Sequence, residues 1–270
     1  MSVPTVPQRE YVEPKRERPE TIWTGGKVAI LFLVWLMAAV PPAIVAILVS
    51  GEDAEATLTS IPFLFATLLV QAIVTILTAV MLARAAGSRF GPSIGFRFEI
   101  SDLVGILLGV ALQIGVALIL APIALLTDAE EADQAVGDLI GTGEGTTEIT
   151  LIVLSVAVLA PLVEEILFRG VLVQWLLSKV SKVWVILISG VAFGLAHFLP
   201  EPSAWLPSIG LVLVGIVLGW LAVRQQRIGM AVTTHAGVNL LAVLLILFGD
   251  ELNQYLEDVQ QTVETVISLF

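Results

Sequence analysis

Apolar runs of about 20 residues recur along this 270-residue chain, and they constrain its fold more than any other feature. A helix that rises 1.5 Å per residue needs about that many residues to cross some 30 Å of hydrocarbon. Only 14% of the residues are charged, whereas a soluble domain carries roughly 25%. The sequence therefore predicts an all-α, polytopic transmembrane helical bundle with about seven spans.

The spans are predicted from the length of each apolar run, after a polar N-terminal tail at residues 1–26 whose composition is typical of disorder. The first run is too long for a signal-peptide core, so we interpret it as a retained helix. Pro41 and Pro42 are expected to kink it. The predicted spans are Val28–Val49, Ile61–Ala83, Leu103–Leu126, Ile149–Leu172, Val183–Leu199, Leu206–Val223 and Met230–Phe248.

The basic residues predict the orientation of the bundle. All 13 lysines and arginines can be assigned to one side, in the N-terminal tail or near the inner ends of the second, fourth and sixth spans. The opposite loops, 50–60, 127–148 and 200–205, contain neither lysine nor arginine. Because lysine and arginine mark cytoplasmic loops, we expect a multi-pass protein of the cell membrane with a cytoplasmic N-terminus and an extracytoplasmic C-terminus.

The segment after the last span predicts an amphipathic C-terminal helix, residues 250–270, beyond a transmembrane domain at residues 27–249. Its apolar residues repeat at helical spacing and form one face. They are Leu252, Leu256, Val259, Val263, Val266 and Phe270. The polar face is acidic, so anionic lipid would repel it. Packing against the chain's own bundle and self-association both fit this pattern, and the oligomeric state stays open.

Ionisable side chains inside apolar spans are costly and are functional candidates by default. Glu164, Glu165 and Arg169 lie in the fourth predicted span. Glu165 precedes Arg169 by four residues, the favoured order for an ion pair along a helix. Glu164 points about 100° away and has no cation within sequence reach. An unpaired carboxylate in a low-dielectric site is a candidate general base, and the alternative is an acidic pair that only orders a helix end.

The two histidines of the chain, His197 and His235, both fall inside apolar spans. Phe193 precedes His197 by one helical turn, and Asn239 follows His235 by one turn. A single intramembrane histidine is often no more than an interhelical hydrogen-bond donor. Two histidines together with Glu164 and Asn239 favour a functional cluster.

Several other functions lack the residues they need. The chain has no cysteine, which removes disulfides, a thiol nucleophile and cysteine-based metal sites. The sequence also lacks a His-Glu-x-x-His zinc helix, a Gly-x-Ser-Gly nucleophile and the basic, aromatic-interleaved stripe of a nucleic-acid binder. We therefore expect the lipid bilayer as a partner, and no nucleic acid.

The order of these motifs resembles the CPBP family, the CAAX-protease and bacteriocin-processing intramembrane enzymes that include the type II CAAX prenyl endopeptidases. The motifs are Glu-Glu-x-x-x-Arg, Phe-x-x-x-His and His-x-x-x-Asn, on three separate spans within residues 149–248. The resemblance implies an intramembrane endopeptidase that acts on membrane-associated, prenylated or leader-bearing proteins. A non-catalytic partner or bacteriocin-immunity factor is an alternative, and a proton-coupled transporter is a weaker one.

The resemblance also implies roles for the site residues. Glu164 and His197 would activate a water, His235 and Asn239 would stabilise the oxyanion, and Glu165, Arg169 and Phe193 would support them. No cofactor is favoured, although zinc on Glu164, His197 and His235 is an alternative. Along straight helices Glu164 and His235 would lie about 10 Å from the inner boundary and His197 about 20 Å, so the site closes only if the helices tilt, start at different heights or are broken.

Overall fold

Helices make up the regular structure of the protein in the computed structural model, which describes residues 20–127, 135–200 and 202–268 and shows no strand among them. The principal helices are α1 (Gly25–Met37), α2 (Val40–Ser50), α3 (Ile61–Ala85), α4 (Val104–Thr127), α5 (Gly145–Leu177), α6 (Lys182–Phe198), α7 (Trp205–Gln225) and α8 (Gly229–Ser268). Short helical segments lie at Gly51–Asp53, Ala54–Leu58, Phe90–Ser93, Ile100–Leu103, Ala135–Gly141 and Pro202–Ala204. Most of the predicted N-terminal tail, residues 1–19, lies outside the described residues, as do Glu201 and the loop residues 128–134.

The predicted polytopic helical bundle is confirmed. Six helical segments among the described residues are long and apolar enough to cross a membrane. The remaining predicted span, Val183–Leu199, corresponds to α6, an apolar helix whose 17 residues stand at the short end of the range for a span. The count of about seven therefore agrees with six full-length spans and one short one.

The first span is broken, as its two prolines predict. α1 ends at Met37 and α2 begins at Val40, with Pro41 and Pro42 inside the first turn of α2. A proline in the first turn removes only an N–H group that would have no partner within the helix. The break therefore comes just before the two prolines rather than at them.

Burial separates the helices into an outer and a central group. Only 17% of the residues in the most apolar 18-residue stretch of α3, and of the Ile100–Thr127 segment, are buried within the protein. In α5 and α7, 56% of the residues in that stretch are buried. Leu107 and Leu118 of α4, for example, are 71% and 70% exposed. Such apolar side chains face lipid in a membrane protein. The central position of α5 matters because it carries Glu164, Glu165 and Arg169.

Glycines allow the closest helix contacts. A Cβ atom added at Gly109 of α4 would lie 2.7 Å from the backbone nitrogen of Val238 in α8, and one at Gly215 of α7 would lie 2.9 Å from the Cα atom of Gly190 in α6. Both distances are too short for any side chain to fit without a shift of the helices. Small residues are common at helix interfaces in membranes because they let backbones approach. These contacts hold α8 against α4 and α7 against α6.

An acidic side chain joins α4 to α8 at the end of the bundle where the arginine-containing loops lie, which we call the basic end. Asp102 is 1% exposed, accepts a hydrogen bond from the backbone N–H of Glu99 at 2.8 Å and forms a very short ion pair with Arg227. The N–H of Ile228 also donates to the carbonyl of Gly95 at 3.0 Å. The start of α8 is therefore fixed to the loop that precedes α4.

The predicted C-terminal helix is the continuation of the last span. α8 runs without a break from Gly229 to Ser268, a length of 40 residues. Its apolar, membrane-length part ends at Gly249. The final residues Leu269 and Phe270 lie outside the described part of the chain.

Candidate functional site

The backbone of α5 departs from α-helical geometry on both sides of its two glutamates. The turns Val153–Leu159 and Ile166–Leu172 are π-helical, and the α-helical segment Ala160–Glu165 lies between them. In the first π-helical turn the N–H of Ala160 donates to the carbonyl of Ser155. Pro161 follows directly and has no N–H to donate. Short π-helical insertions are frequent at functional sites, where they turn side chains to new directions.

Glu165 and Arg169 form the predicted ion pair, and both side chains are fully buried. Arg169 donates from Nη1 to Glu165 Oε1 at 2.8 Å and from Nη2 to the carbonyl of Gly215 in α7 at 2.9 Å. The Arg169 guanidinium also lies 4.7 Å from the centre of the Phe193 ring, within the range of a cation–π contact. A buried charge needs such compensation, so Arg169 holds Glu165 inside the bundle and links α5 to α6 and α7.

The structure brings Glu164 together with both histidines. Glu164 Oε2 lies 3.9 Å from His197 Nε2 and 3.7 Å from His235 Nε2. These gaps are too long for direct hydrogen bonds but suit a small bridging molecule such as water. Among the described residues, the buried Glu164 Oε2 has no hydrogen-bond partner of its own. One carboxylate oxygen and two imidazole nitrogens thus face the same small space.

The contacts of the other ring nitrogens indicate the tautomer of each histidine. His197 Nδ1 lies 3.0 Å from the carbonyl oxygen of Phe193, and His235 Nδ1 lies 3.0 Å from Glu165 Oε1. A carbonyl or an ionised carboxylate only accepts, so we assign the proton of each neutral ring to Nδ1. Each Nε2 then presents its lone pair to the space beside Glu164.

Phe193 packs among the residues of the site. Its ring is fully buried and meets the His197 ring at a centroid distance of 4.9 Å and the His235 ring at 5.3 Å. Phe168 of α5 packs edge-on against it at 5.2 Å. Since Phe193 contacts both imidazoles with its ring and orients His197 with its carbonyl, it is a positioning residue for the two histidines.

Asn239 contacts the backbone of α5 rather than Glu164 or a histidine. Its Nδ2 donates to the carbonyl of Val156 at 2.8 Å. That carbonyl lacks both helical donors, because the N–H of Ala160 is bonded to Ser155 and Pro161 has none. Asn239 therefore supplies the hydrogen bond that the first π-helical turn leaves unmade, and it keeps a second N–H for another acceptor.

Exposure decreases across the cluster from one side to the other. The side chain of His197 is 34% exposed and that of Glu164 12%, whereas His235 is 2% and Glu165 0% exposed. A molecule from outside the bundle would therefore reach the cluster from the His197 side. The buried Glu165–Arg169 pair forms the back of the site.

Zinc on Glu164, His197 and His235 stays a prediction. A three-ligand zinc site needs donors that converge on one point at about 2.0–2.2 Å. Among the described residues, no group of three histidine, aspartate or glutamate side chains is arranged to hold a metal ion. Although each histidine has the kind of Nδ1 contact that also orients metal ligands, we derive no step through a metal.

Glu164 and His197 lie at similar distances from the inner ends of their helices, unlike the predicted distances, because α5 ends later than predicted. α5 continues to Leu177, five residues past the predicted end, which places Glu164 about 20 Å from its inner end. This is close to the depth of His197, about 22 Å from the start of α6. His235 lies only about 9 Å from the start of α8, so α8 begins about two turns deeper than α5 ends.

The sequence did not predict the π-helical turns of α5, the carbonyl of Val156 as the partner of Asn239, or the carbonyl of Gly215 as the second partner of Arg169. Pro161, five residues after Val156, was the signal in the sequence for an unpaired carbonyl. The contact of Arg169 with Gly215 had no such signal, because it depends on how α7 packs.

One comparison with known proteins identifies a related domain. The family model described as type II CAAX prenyl endopeptidase Rce1-like matches residues 146–241, a segment that contains every predicted site residue from Glu164 to Asn239. No curated protein and no solved structure matches the chain. The predicted resemblance to the CAAX-protease family is thereby confirmed.

Proposed function

Because residues 146–241 match the family model of Rce1-like type II CAAX prenyl endopeptidases, we propose that this membrane protein is an intramembrane endopeptidase that uses Glu164 as a general base. The protease domain would occupy residues 27–249 in the cell membrane, with the N-terminus in the cytoplasm. The observation that supports this most strongly is the approach of His197 Nε2 and His235 Nε2 to a single oxygen of Glu164, at 3.9 and 3.7 Å.

The reaction begins with a water held in that space. The water donates one hydrogen bond to Glu164 Oε2 and the other to His197 Nε2, which accepts because its proton is on Nδ1. As the water oxygen attacks the carbonyl carbon of the scissile peptide, its proton passes to Glu164. The tetrahedral intermediate then carries a negative charge on the former carbonyl oxygen.

His235 and Asn239 lie on α8 and supply the donors for that oxygen. His235 donates from Nε2 once its ring takes up a second proton from the medium, while its Nδ1–H donates to Glu165 Oε1. Asn239 uses one N–H for Val156 and offers the other to the oxyanion. Collapse of the intermediate passes the proton from Glu164 to the leaving nitrogen and releases an amine and a carboxylic acid, which then loses its proton to the medium.

The substrate is a membrane-associated protein or peptide. A segment that is already in the bilayer can reach the cluster from the side of His197, which is the most exposed member of the site. A prenyl group on the substrate is the more specific version of this proposal and rests on the family alone. The cleavage assay should therefore include the same peptide with and without a prenyl chain.

The test is cleavage of membrane-embedded candidate peptides by the purified protein in liposomes. We expect Glu164→Gln to lower the rate by at least about 100-fold, because the general base is lost. Glu144→Gln is the matched control, since Glu144 lies at the start of the same helix and is exposed. If Glu164→Gln cleaved as fast as the wild type, the proposal would be wrong, and a protein inactive on every peptide would favour a non-catalytic partner.

A further inference from the structure

The extension of α8 beyond Gly249 is a long helix that leaves the bundle and carries a row of apolar residues. The membrane-length part of α8 is Gly229–Gly249, and the helix continues to Ser268, about 28 Å farther. Leu252 and Tyr255 in this extension are 49% and 65% exposed. The described helices therefore leave these side chains uncovered, and an apolar face outside the membrane needs some other cover.

Five positions of α8 follow a coiled-coil repeat that begins in its membrane-length part. Leu245, Gly249, Leu252, Leu256 and Val259 are spaced 4, 3, 4 and 3 residues apart, the a and d spacing of a heptad. Leu245 is 50% and Val259 41% exposed, and a Cβ atom added at Gly249 would meet nothing within 4 Å. We call these five residues the α8 seam. The α8 seam runs from the membrane-length part of α8 into its extension, and Gly249 permits close approach where the two parts meet.

The distribution of charge shows which partner the α8 seam suits. With Leu252 and Val259 at d and Leu256 at a, the positions that flank the seam, e and g, are occupied by uncharged residues. These are Asn253, Tyr255, Gln260 and Thr262. The acids of the extension all fall at the outward positions b and c. They are Asp250, Glu251, Glu257, Asp258 and Glu264.

This arrangement removes the main obstacle to pairing of an acidic helix with itself. In a coiled coil the e and g residues face the partner helix, and like charges there would oppose association. The chain carries no lysine or arginine after Arg227, so its C-terminal segments could not neutralise one another. Because the acids occupy positions b and c rather than e and g, two copies can meet without that repulsion. A basic partner would instead require acids at e and g.

We propose that the chain forms a homo-oligomer through the α8 seam, with α8 helices of neighbouring copies packed in parallel. Insertion with one topology makes the helices parallel and places the symmetry axis along the membrane normal. The extension spans fewer than three heptads, which is short for a coiled coil in solution. Confinement to the same membrane raises the effective concentration of the partners and offsets that shortness.

The absence of cysteine allows a direct test in the intact protein. A single Val259→Cys substitution places a thiol at position d of the seam, and Gln254→Cys places one at the outward position f of the same extension. We expect mild oxidation of membranes to link most of the Val259→Cys protein into dimers and to leave Gln254→Cys largely monomeric. Equal linkage at both positions, or none at Val259→Cys, would overturn the proposal.

A second pair of variants tests the same seam without chemical linkage. Val259→Glu introduces a charge into the seam, whereas Gln254→Glu adds the same charge on the outer face. The mass of single particles in lipid nanodiscs should shift to the monomer for Val259→Glu, with at least tenfold weaker association, and stay oligomeric for wild type and Gln254→Glu. A monomeric wild type would refute the proposal. The readout does not use peptide cleavage, so it stands apart from the test of Glu164.

Discussion

The contact between α4 and α8 should tolerate no side chain at Gly109. In Gly109→Ala the new Cβ would lie 2.7 Å from the Val238 nitrogen, and closer still to the carbonyl oxygen of Thr234. An ordinary contact requires at least 3.4 Å, so α8 must move away by about 1 Å. Overpacking of this kind costs about 1–3 kcal/mol of the free energy of unfolding.

The same displacement should reduce catalysis, because Thr234 precedes His235 directly. A shift of about 1 Å at a catalytic group can lower the rate by about 100-fold. We would measure the free energy of unfolding in mixed micelles and the rate of peptide cleavage for Gly109→Ala. Gly115→Ala is the control, since it makes the same change on the same helix where a Cβ meets nothing within 4 Å. If both variants unfolded and cleaved alike, the close packing of α4 on α8 would be refuted.

Three further substitutions test the support of the site, each by the free energy of unfolding. Arg169→Met should lower it by about 3–5 kcal/mol, because it leaves the buried carboxylate of Glu165 without its cation and with only the His235 ring as a partner; a loss below about 1 kcal/mol would contradict the buried pair. Asn239→Leu should cost about 1–3 kcal/mol and slow cleavage, since the Val156 carbonyl loses its donor, and an unchanged protein would show that the contact is dispensable. Phe193→Ala should lower the free energy of unfolding by about 3–5 kcal/mol, because it leaves a cavity. If it cost no more than the same truncation of a lipid-facing phenylalanine, the packing of Phe193 against both histidines would be contradicted.

The parts of the structure that depend on local pattern could be predicted from the sequence. Apolar runs long enough to cross a bilayer predicted the transmembrane helices, because the thickness of the bilayer sets the minimum length of such a helix. Two prolines predicted the break before α2, and the spacing of Glu165 and Arg169 predicted their ion pair. The motifs also predicted that Glu164, His197 and His235 form one cluster. In the structure the Nε2 atoms of both histidines lie within 4 Å of Glu164 Oε2.

The rest depends on contacts between distant parts of the chain. The π-helical turns of α5 change which carbonyls are bonded, and Asn239 supplies the missing donor from another helix. Helix periodicity carries no information about such a contact. The relative depth of the histidines was also beyond the sequence, because α5 ends at Leu177 and the start of α8 is fixed by Asp102 and Arg227.

The central claim is that Glu164 acts as a base on water without a metal ion, and the most direct test combines chelation with substitution. The rate of peptide cleavage would be measured for wild type and Glu164→Gln after treatment with a strong chelator, with bound metal quantified in the same samples. We predict that metal-free wild type retains its full rate and that Glu164→Gln remains inactive. Loss of activity on chelation, restored by added zinc, would contradict the account and place Glu164 and the histidines in a metal centre.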